Sequence, residues 1–242
     1  MQGFLRTRFA HTKPYSVHSL ADIQNSLYAD HSKSTVYAGA QARMAGLTKR
    51  NPAHCAVYDW LAQKVYEYLN NGRAETKDSF DQWHHETCEG FIAACASAGI
   101  TIAYGMAQKF LNLLLKYTYC FVDATTVVST KFQYCHLTLD GYTYHPSNAL
   151  DPRYLTTHTY GTYVINTPYY DRDVAPIAPT DTRTAWSKLS YEEYIQIQEN
   201  IRTHLDLHPF TYADVRHLDT LHLATVAPAY PLTPFETEFF IW

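Results

Sequence analysis

No run of about 18 uncharged apolar residues occurs in this chain, so no transmembrane helix is expected. The opening MQGFLRTRFAHTKPYS carries charge but neither an apolar stretch nor a small-residue cleavage site, and does not read as a signal peptide. No Cys-x-x-Cys pair is present. The cysteines are odd in number (Cys55, Cys88, Cys95, Cys120 and Cys135), which argues against a disulfide framework or a zinc ribbon and for a reducing cytosol. Basic charge is not in excess. A formal charge of −4 argues against a general nucleic-acid coat protein but not against an enzyme that meets DNA through one local patch. There is no GxxxxGK[ST] loop, GxGxxG fingerprint, HExxH or GxSxG, so ATP-driven and serine-hydrolase chemistry have no support and no cofactor is expected. Internal repeats and low-complexity tracts are also missing.

What is present is a chain of 242 residues, 46% hydrophobic, enough for a single domain over 1–242. Its 21 tyrosines offer apolar bodies with polar tips. Such side chains suit base stacking, although an aromatic-rich core and surface is the simpler explanation. A helix is expected over Ser19–Tyr28. A second follows Asn51, with Pro52 at its first position and Val57, Trp60, Leu61, Val65 and Leu69 on one face, closing at Asn70-Asn71-Gly72. Ser79 to Ala98 reads as a third helix, ended by Gly99. Tyr104 to about Phe121 reads as a fourth. The threonine-rich stretch 122–133 fits a short strand or an irregular excursion. The proline-bearing segment 151–183 fits an extended run on the surface or the rim of a cleft. Ser190 and Glu193 form a capping box for a last helix, whose inner side carries Leu189, Tyr194, Ile197 and Ile201. The ending TPFETEFFIW reads as a strand-like tail docked on the body. The fold class is mostly α, with irregular insertions.

The fourth helix, YGMAQKFLNLLLKY, is apolar on most sides, yet Lys109, Asn112 and Lys116 run down it at spacings of three and four. Two explanations compete: a solvated edge of a core helix, or a functional line that begins with a lysine near the first turn. The order of elements is helix, a short link containing Gly99 and Gly105, then helix. In a helix–hairpin–helix of this kind, backbone N–H groups at the second helix's start bind a DNA phosphate, and small residues let it approach.

These residues resemble the helix–hairpin–helix DNA glycosylase superfamily, whose hairpin carries a G-h-G-x-K pattern. The matching positions are Gly105, Met106, Ala107, Gln108 and Lys109, with Ala107 in place of the second glycine. The resemblance implies a glycosylase-like helical domain with its hairpin and catalytic core over 85–145. It makes Lys109 the catalytic lysine and Asp140, in HLTLDGYTY, the catalytic aspartate. The separation of the two is longer than is usual in the superfamily, the extra length falling in 122–133. Together with the later WSK and YEEYIQIQENIR, GMAQKFLNLLLKY and HLTLD are similar to the α-glutamyl/putrescinyl thymine pyrophosphorylase group, or amino acid:DNA transferases, of bacteria and their phages. That similarity implies action on hypermodified thymine in phage DNA, in the cytoplasm of an infected host. The substrate is 5-pyrophosphomethyl-uracil, and an amine (an amino acid or a polyamine) displaces its pyrophosphate. Two alternatives stay open: a base-excision glycosylase using Lys109 as nucleophile and Asp140 to support the sugar cation, and a non-enzymatic binding protein on the same scaffold.

Pyrophosphate departure needs positive charge and hydrogen-bond donors, which Lys109, the hairpin around Gly105 and Lys116 offer. Asp140 is placed to accept a proton from the amine or hold it, with His136 as a second base. Gln108 and Asn112 carry paired donors and acceptors suited to a uracil edge. The resemblance puts Trp186 and Lys188 near the active site, stacking and meeting phosphate; a hydrophobic staple with a solvated lysine is the competing explanation. Arg153 and Arg183 bracket the proline-bearing segment as backbone-contact candidates. His85 and Cys88, one turn apart, with Cys135 and His136 elsewhere, allow a zinc site only if a second strong pair joins them, and no metal is expected.

Overall fold

The computed structural model describes residues 20–21, 23–24, 51–70, 76–121, 129–139, 186–207, 211–215 and 228–236. Among them the chain is mostly helical. Its elements are α1 (Pro52–Asn70), α2 (Lys77–Ser97), α3 (Tyr104–Phe121), α4 (Tyr191–Leu207) and the single turn α5 (Tyr212–Val215). Two short 3-10 turns, Ser129–Phe132 and Trp186–Lys188, stand between α3 and α4 in the sequence. The β-pairing among the described residues is an antiparallel bridge between Thr211 and Pro231.

α1, α2 and α4 start where a side-chain oxygen accepts from one of their orphan N–H groups. Asn51 Oδ1 accepts from the N–H of Ala53 at 3.0 Å, one residue past Pro52. α2 begins two residues earlier than the sequence suggests. Thr76 is the cap, and Ser79 is its reciprocal partner, with Thr76 Oγ1 accepting from Ser79 N and Ser79 Oγ accepting from Thr76 N. At the other end Gly99, at φ 77°, lets the N–H of Ile100 reach back to the carbonyl of Cys95 at 2.9 Å. α4 has the expected box: Ser190 N donates to Glu193 Oε2 at 2.8 Å, and Glu193 N donates to Ser190 Oγ at 3.3 Å.

α2 packs on both α1 and α3, and α1 also touches α3. The core between them holds Tyr58, Leu61, Phe80, Phe91, Phe110 and Leu114, all almost fully buried. Phe110 meets Tyr58 and Phe91 edge-on at 6.0 and 5.5 Å, a geometry that suits the ring quadrupoles. Burying each such side chain contributes roughly 2 kcal/mol. Within the expected helix at 19–28, residues 20–21 and 23–24 are helical; Ile23 is fully buried and Gln24 Nε2 donates to Asp59 Oδ1 on α1 at 3.1 Å. The described end of the chain departs from expectation. Residues 234–236 are a helical turn rather than a strand, because Thr233 and Glu236 form another capping box around Pro234. Phe235 docks that turn against Tyr119 and Phe132. The segment 151–183, with Arg153 and Arg183, and most of the stretch 122–133 lie outside the described residues. No helix among those described is long and apolar enough to cross a membrane.

Candidate functional site

The polar line on α3 faces inward. Lys109 and Lys116 are 5% exposed and Asn112 is fully buried, so the solvated-edge explanation does not hold. Around the first two turns of α3 the structure gathers Gly105, Gln108, Lys109, Asn112, His136 and Trp186. Asp140 lies outside the described residues, one position beyond Leu139.

Gly105 is required by a close approach, though the approaching group is the protein's own backbone. A Cβ there would stand 1.9 Å from the carbonyl oxygen of Trp186. The Gly105 N–H donates to Leu189 O at 3.0 Å, and the N–H groups of Met106 and Ala107 both reach the carbonyl of Ala103. The expectation that these hairpin N–H groups receive a phosphate is corrected accordingly, because their donors are already taken. The same packing carries the Trp186 ring over α3, where Lys109 Nζ sits 4.7 Å from its centroid, within cation–π range. Lys188, at the end of that turn, is exposed.

Gln108 connects this corner to the segment 135–139. Its Nε2 donates to the carbonyls of Gly105 and Leu139, both at 2.8 Å, and its Oε1 accepts from Leu139 N at 3.3 Å. From α4, Gln198 does the same two residues earlier, donating to Leu137 O at 2.7 Å and accepting from Leu137 N at 3.2 Å. Each glutamine amide offers the donor–acceptor pair that a neighbouring strand would, so this buried segment stays satisfied without a sheet.

Behind Gln108 runs a buried hydrogen-bonded chain whose directions can be assigned from one fixed end. Arg202 grips Asp81 with both terminal nitrogens, at 2.8 and 2.7 Å. Asp81 is therefore a carboxylate acceptor, so His136 Nε2–H donates to it at 2.8 Å. His136 Nδ1 must then accept, and does so from the hydroxyl of Tyr194 at 2.8 Å. The Tyr194 oxygen accepts from Asn112 Nδ2 at 2.9 Å, and the same amide donates to Gln108 Oε1 at 3.0 Å. Asn112 Oδ1 takes the Nε2–H of His84 at 2.9 Å, leaving His84 Nδ1 to face the Cys88 thiol at 3.8 Å.

Electrostatics agree with that assignment. Burial alone would raise the Asp81 carboxyl, but its hydrogen bonds from Arg202 and His136 more than reverse this and hold it well below the usual carboxylate range. Burial lowers His136 to about 4, the partly opposing pull of Asp81 being weaker, so its imidazole is neutral near pH 7. Burial likewise pushes His84 well down. The Cys95 thiol is pushed up to about 12 by burial, which makes it inert.

Gln108, Asn112 and His136 thus have no polar edge open to a ligand in this conformation. They hold α3, α4 and the 135–139 segment in register. His85 and Cys88 do not converge either: His85 stacks on Tyr191 at 3.8 Å, while His84 takes the thiol contact. Asp81, His84, Tyr194 and Arg202 were not anticipated as part of this cluster. A signal for part of it is present in the sequence, since Tyr194, Gln198 and Arg202 recur every four residues along the inner stripe of α4.

Comparison with protein-family models, with curated proteins and with solved structures gives no match.

Proposed function

We propose that this chain is a transferase that acts on modified thymine in DNA, displacing pyrophosphate from 5-pyrophosphomethyl-uracil with an amine. The observation that carries the reading is the meeting of Lys109 with Trp186 on the turn of α3 where Gln108 clamps Leu139, the residue before Asp140. Three sequence segments bearing proposed site residues therefore converge on one helical turn. In the proposed reaction the nitrogen lone pair of a neutral amine attacks the methylene carbon. The carbon–oxygen bond to pyrophosphate breaks, pyrophosphate leaves with the bonding pair, and the ammonium formed loses a proton. Lys109 is the group suited to meet charge on the departing oxygen, and exposed Lys188, on the same turn as Trp186, is a second cation for the phosphates. Asp140 is assigned the proton. The target base has to leave the duplex stack, or be single-stranded, to reach such a site.

The test is mass spectrometry of nucleosides from DNA carrying 5-pyrophosphomethyl-uracil after incubation with the protein and a mixture of amino acids and polyamines. A thymine–amine adduct that vanishes in Lys109→Ala supports the transferase. Abasic sites in place of an adduct convert the reading to a base-excision glycosylase. Unchanged nucleosides remove the chemistry.

A further inference from the structure

We propose that Tyr194 is a redox-active tyrosine, which gives up one electron to an outer-sphere oxidant at the N-terminal end of α4 while its phenolic proton moves to His136. The buried chain has no polar edge open to a ligand, but an electron and a proton need no pocket. The Tyr194 ring is fully buried, and its hydroxyl donates to His136 Nδ1 at 2.8 Å. A phenol that loses an electron becomes a strong acid, so it is oxidised readily only where a base waits within hydrogen-bond reach. His136 is such a base. Its Nδ1 lone pair faces the hydroxyl, and its Nε2–H is already on Asp81 Oδ1 at 2.8 Å. The imidazolium formed therefore lies against a carboxylate that Arg202 holds in its charged form. The Tyr194 oxygen keeps the Asn112 Nδ2–H at 2.9 Å, which supports the phenoxyl oxygen once the proton has gone. Tyr68 is also buried, but its hydroxyl donates to the Lys131 carbonyl, which takes up no proton.

The electron has a way out through rings. The Tyr194 ring centroid is 5.5 Å from that of Tyr104, and Tyr104 is 5.4 Å from Tyr191. Tyr191 is half-buried and stacks on His85 at 3.8 Å, so the series runs from the core to the first residue of α4. Rings in near contact couple electrons better than the saturated chain between them. The step balances. The Tyr194 phenol and neutral His136 become a neutral phenoxyl radical and an imidazolium, and the oxidant is reduced by one electron. On re-reduction the proton returns from Nδ1 to the oxygen, so no heavy atom has to move. The site thus stores one oxidising equivalent reversibly, and it does not depend on the thymine chemistry.

The test oxidises the full chain with a photogenerated ruthenium(III) tris-bipyridine complex and reads the radical by electron paramagnetic resonance after rapid freezing. A persistent tyrosyl radical is expected. Hydrogen bonding should narrow its g anisotropy, and a soluble paramagnetic relaxer should leave it unbroadened, because the ring is buried. Replacing Tyr194 with a ring-fluorinated tyrosine keeps the hydroxyl and its partners, and should add a fluorine hyperfine splitting to that signal. Tyr194→Phe should remove the signal. His136→Gln, which takes away the base, should lower its yield several-fold, and Tyr191→Phe should slow its formation without changing its shape. Circular dichroism verifies that the variants fold. Where Tyr194→Phe or His136→Gln does not, the fluorinated chain decides. A radical without the fluorine splitting, one that the relaxer reaches, or one that survives Tyr194→Phe overturns the assignment of Tyr194. A yield unchanged in His136→Gln overturns the proton's destination and the proposal with it.

Discussion

Gln108 holds Leu139 by both of its backbone polar groups, donating to its carbonyl at 2.8 Å and accepting from its N–H at 3.3 Å, across 31 residues of sequence. Replacing it with leucine keeps the volume and strands the carbonyl and N–H of Leu139 together with one side-chain N–H of Asn112. Gln108→Leu is expected to lower stability by roughly 3 kcal/mol, since each orphaned group costs about 1–3 kcal/mol. A urea denaturation midpoint measures this, and an unchanged midpoint would show that the clamp is not needed.

Gly105→Ala tests the contact between α3 and the Trp186–Leu189 turn. The added methyl meets a backbone oxygen at 1.9 Å, which no rotamer change relieves. Overpacking of this kind costs about 1–3 kcal/mol. The loss should appear in denaturation, together with weaker quenching of Trp186 fluorescence as its ring moves off Lys109.

Arg202→Met leaves the Asp81 carboxylate without its bidentate partner in a largely buried position. Breaking such a pair from one side costs about 3–5 kcal/mol. Arg202→Met with Asp81→Asn is expected to recover part of that loss, because the buried carboxylate, then held only by His136 and by Lys77 at 3.6 Å, is gone. A double-mutant cycle on thermal midpoints gives the coupling.

Acid should weaken the fold in a window set by His136. Its folded pKa is depressed to about 4, against an ordinary value of 6.5. The unfolded chain therefore binds the proton first. The contribution is complete above about pH 6.5 and is lost as pH falls toward 4, by ~3 kcal/mol at about 1.4 kcal/mol per unit. His84 acts in the same direction. Asp81, held below the usual carboxylate range, adds a further loss at pH values under about 3.9, its ordinary unfolded value. Urea midpoints across pH 4–8 should fall on the acid side, and His136→Gln should flatten that slope.

Under the proposed transfer reaction, Lys109→Ala is expected to cost about 10²–10³-fold in turnover, the range seen when a group that stabilises transition-state charge is removed. Lys109→Arg, which keeps the charge and the ring contact, should retain part of the rate. Turnover with the pyrophosphomethyl substrate separates the two.

The helices were legible because their signals are local. Asn51-Pro52, Gly99 and Ser190 with Glu193 act within one turn, and the stripe Leu189, Tyr194, Ile197, Ile201 is buried as its period requires. The cap at Thr76 was missed because serine three residues on is a less familiar partner than glutamate. The strand-like tail expected from the partial alternation of its aromatics gives way at 234–236 to a helical turn, because the reciprocal bonds of Thr233 and Glu236 act locally. On α3, the spacing of Lys109, Asn112 and Lys116 marked an unusual face, but periodicity does not say whether polar groups look to solvent or to one another. That depends on Tyr194, Arg202 and Asp81, which come from elements up to 121 residues apart. A hydrogen-bonded chain of this kind has no sequence signature beyond polar residues on an apolar stripe.

The clamp at Leu139 and the packing of Trp186 on Gly105 fix both ends of the intervening stretch to neighbouring positions of one helical turn. The anchors Leu139 and Trp186 therefore meet α3 through contacts that do not depend on how many residues separate them in the sequence. Closing a longer loop costs little, about 0.6 kcal/mol for each doubling. An insertion or deletion between the two anchors should leave the relation of Lys109 to Trp186 in place. The corner that holds the lysine is thus built without reference to the length of chain that joins its two halves.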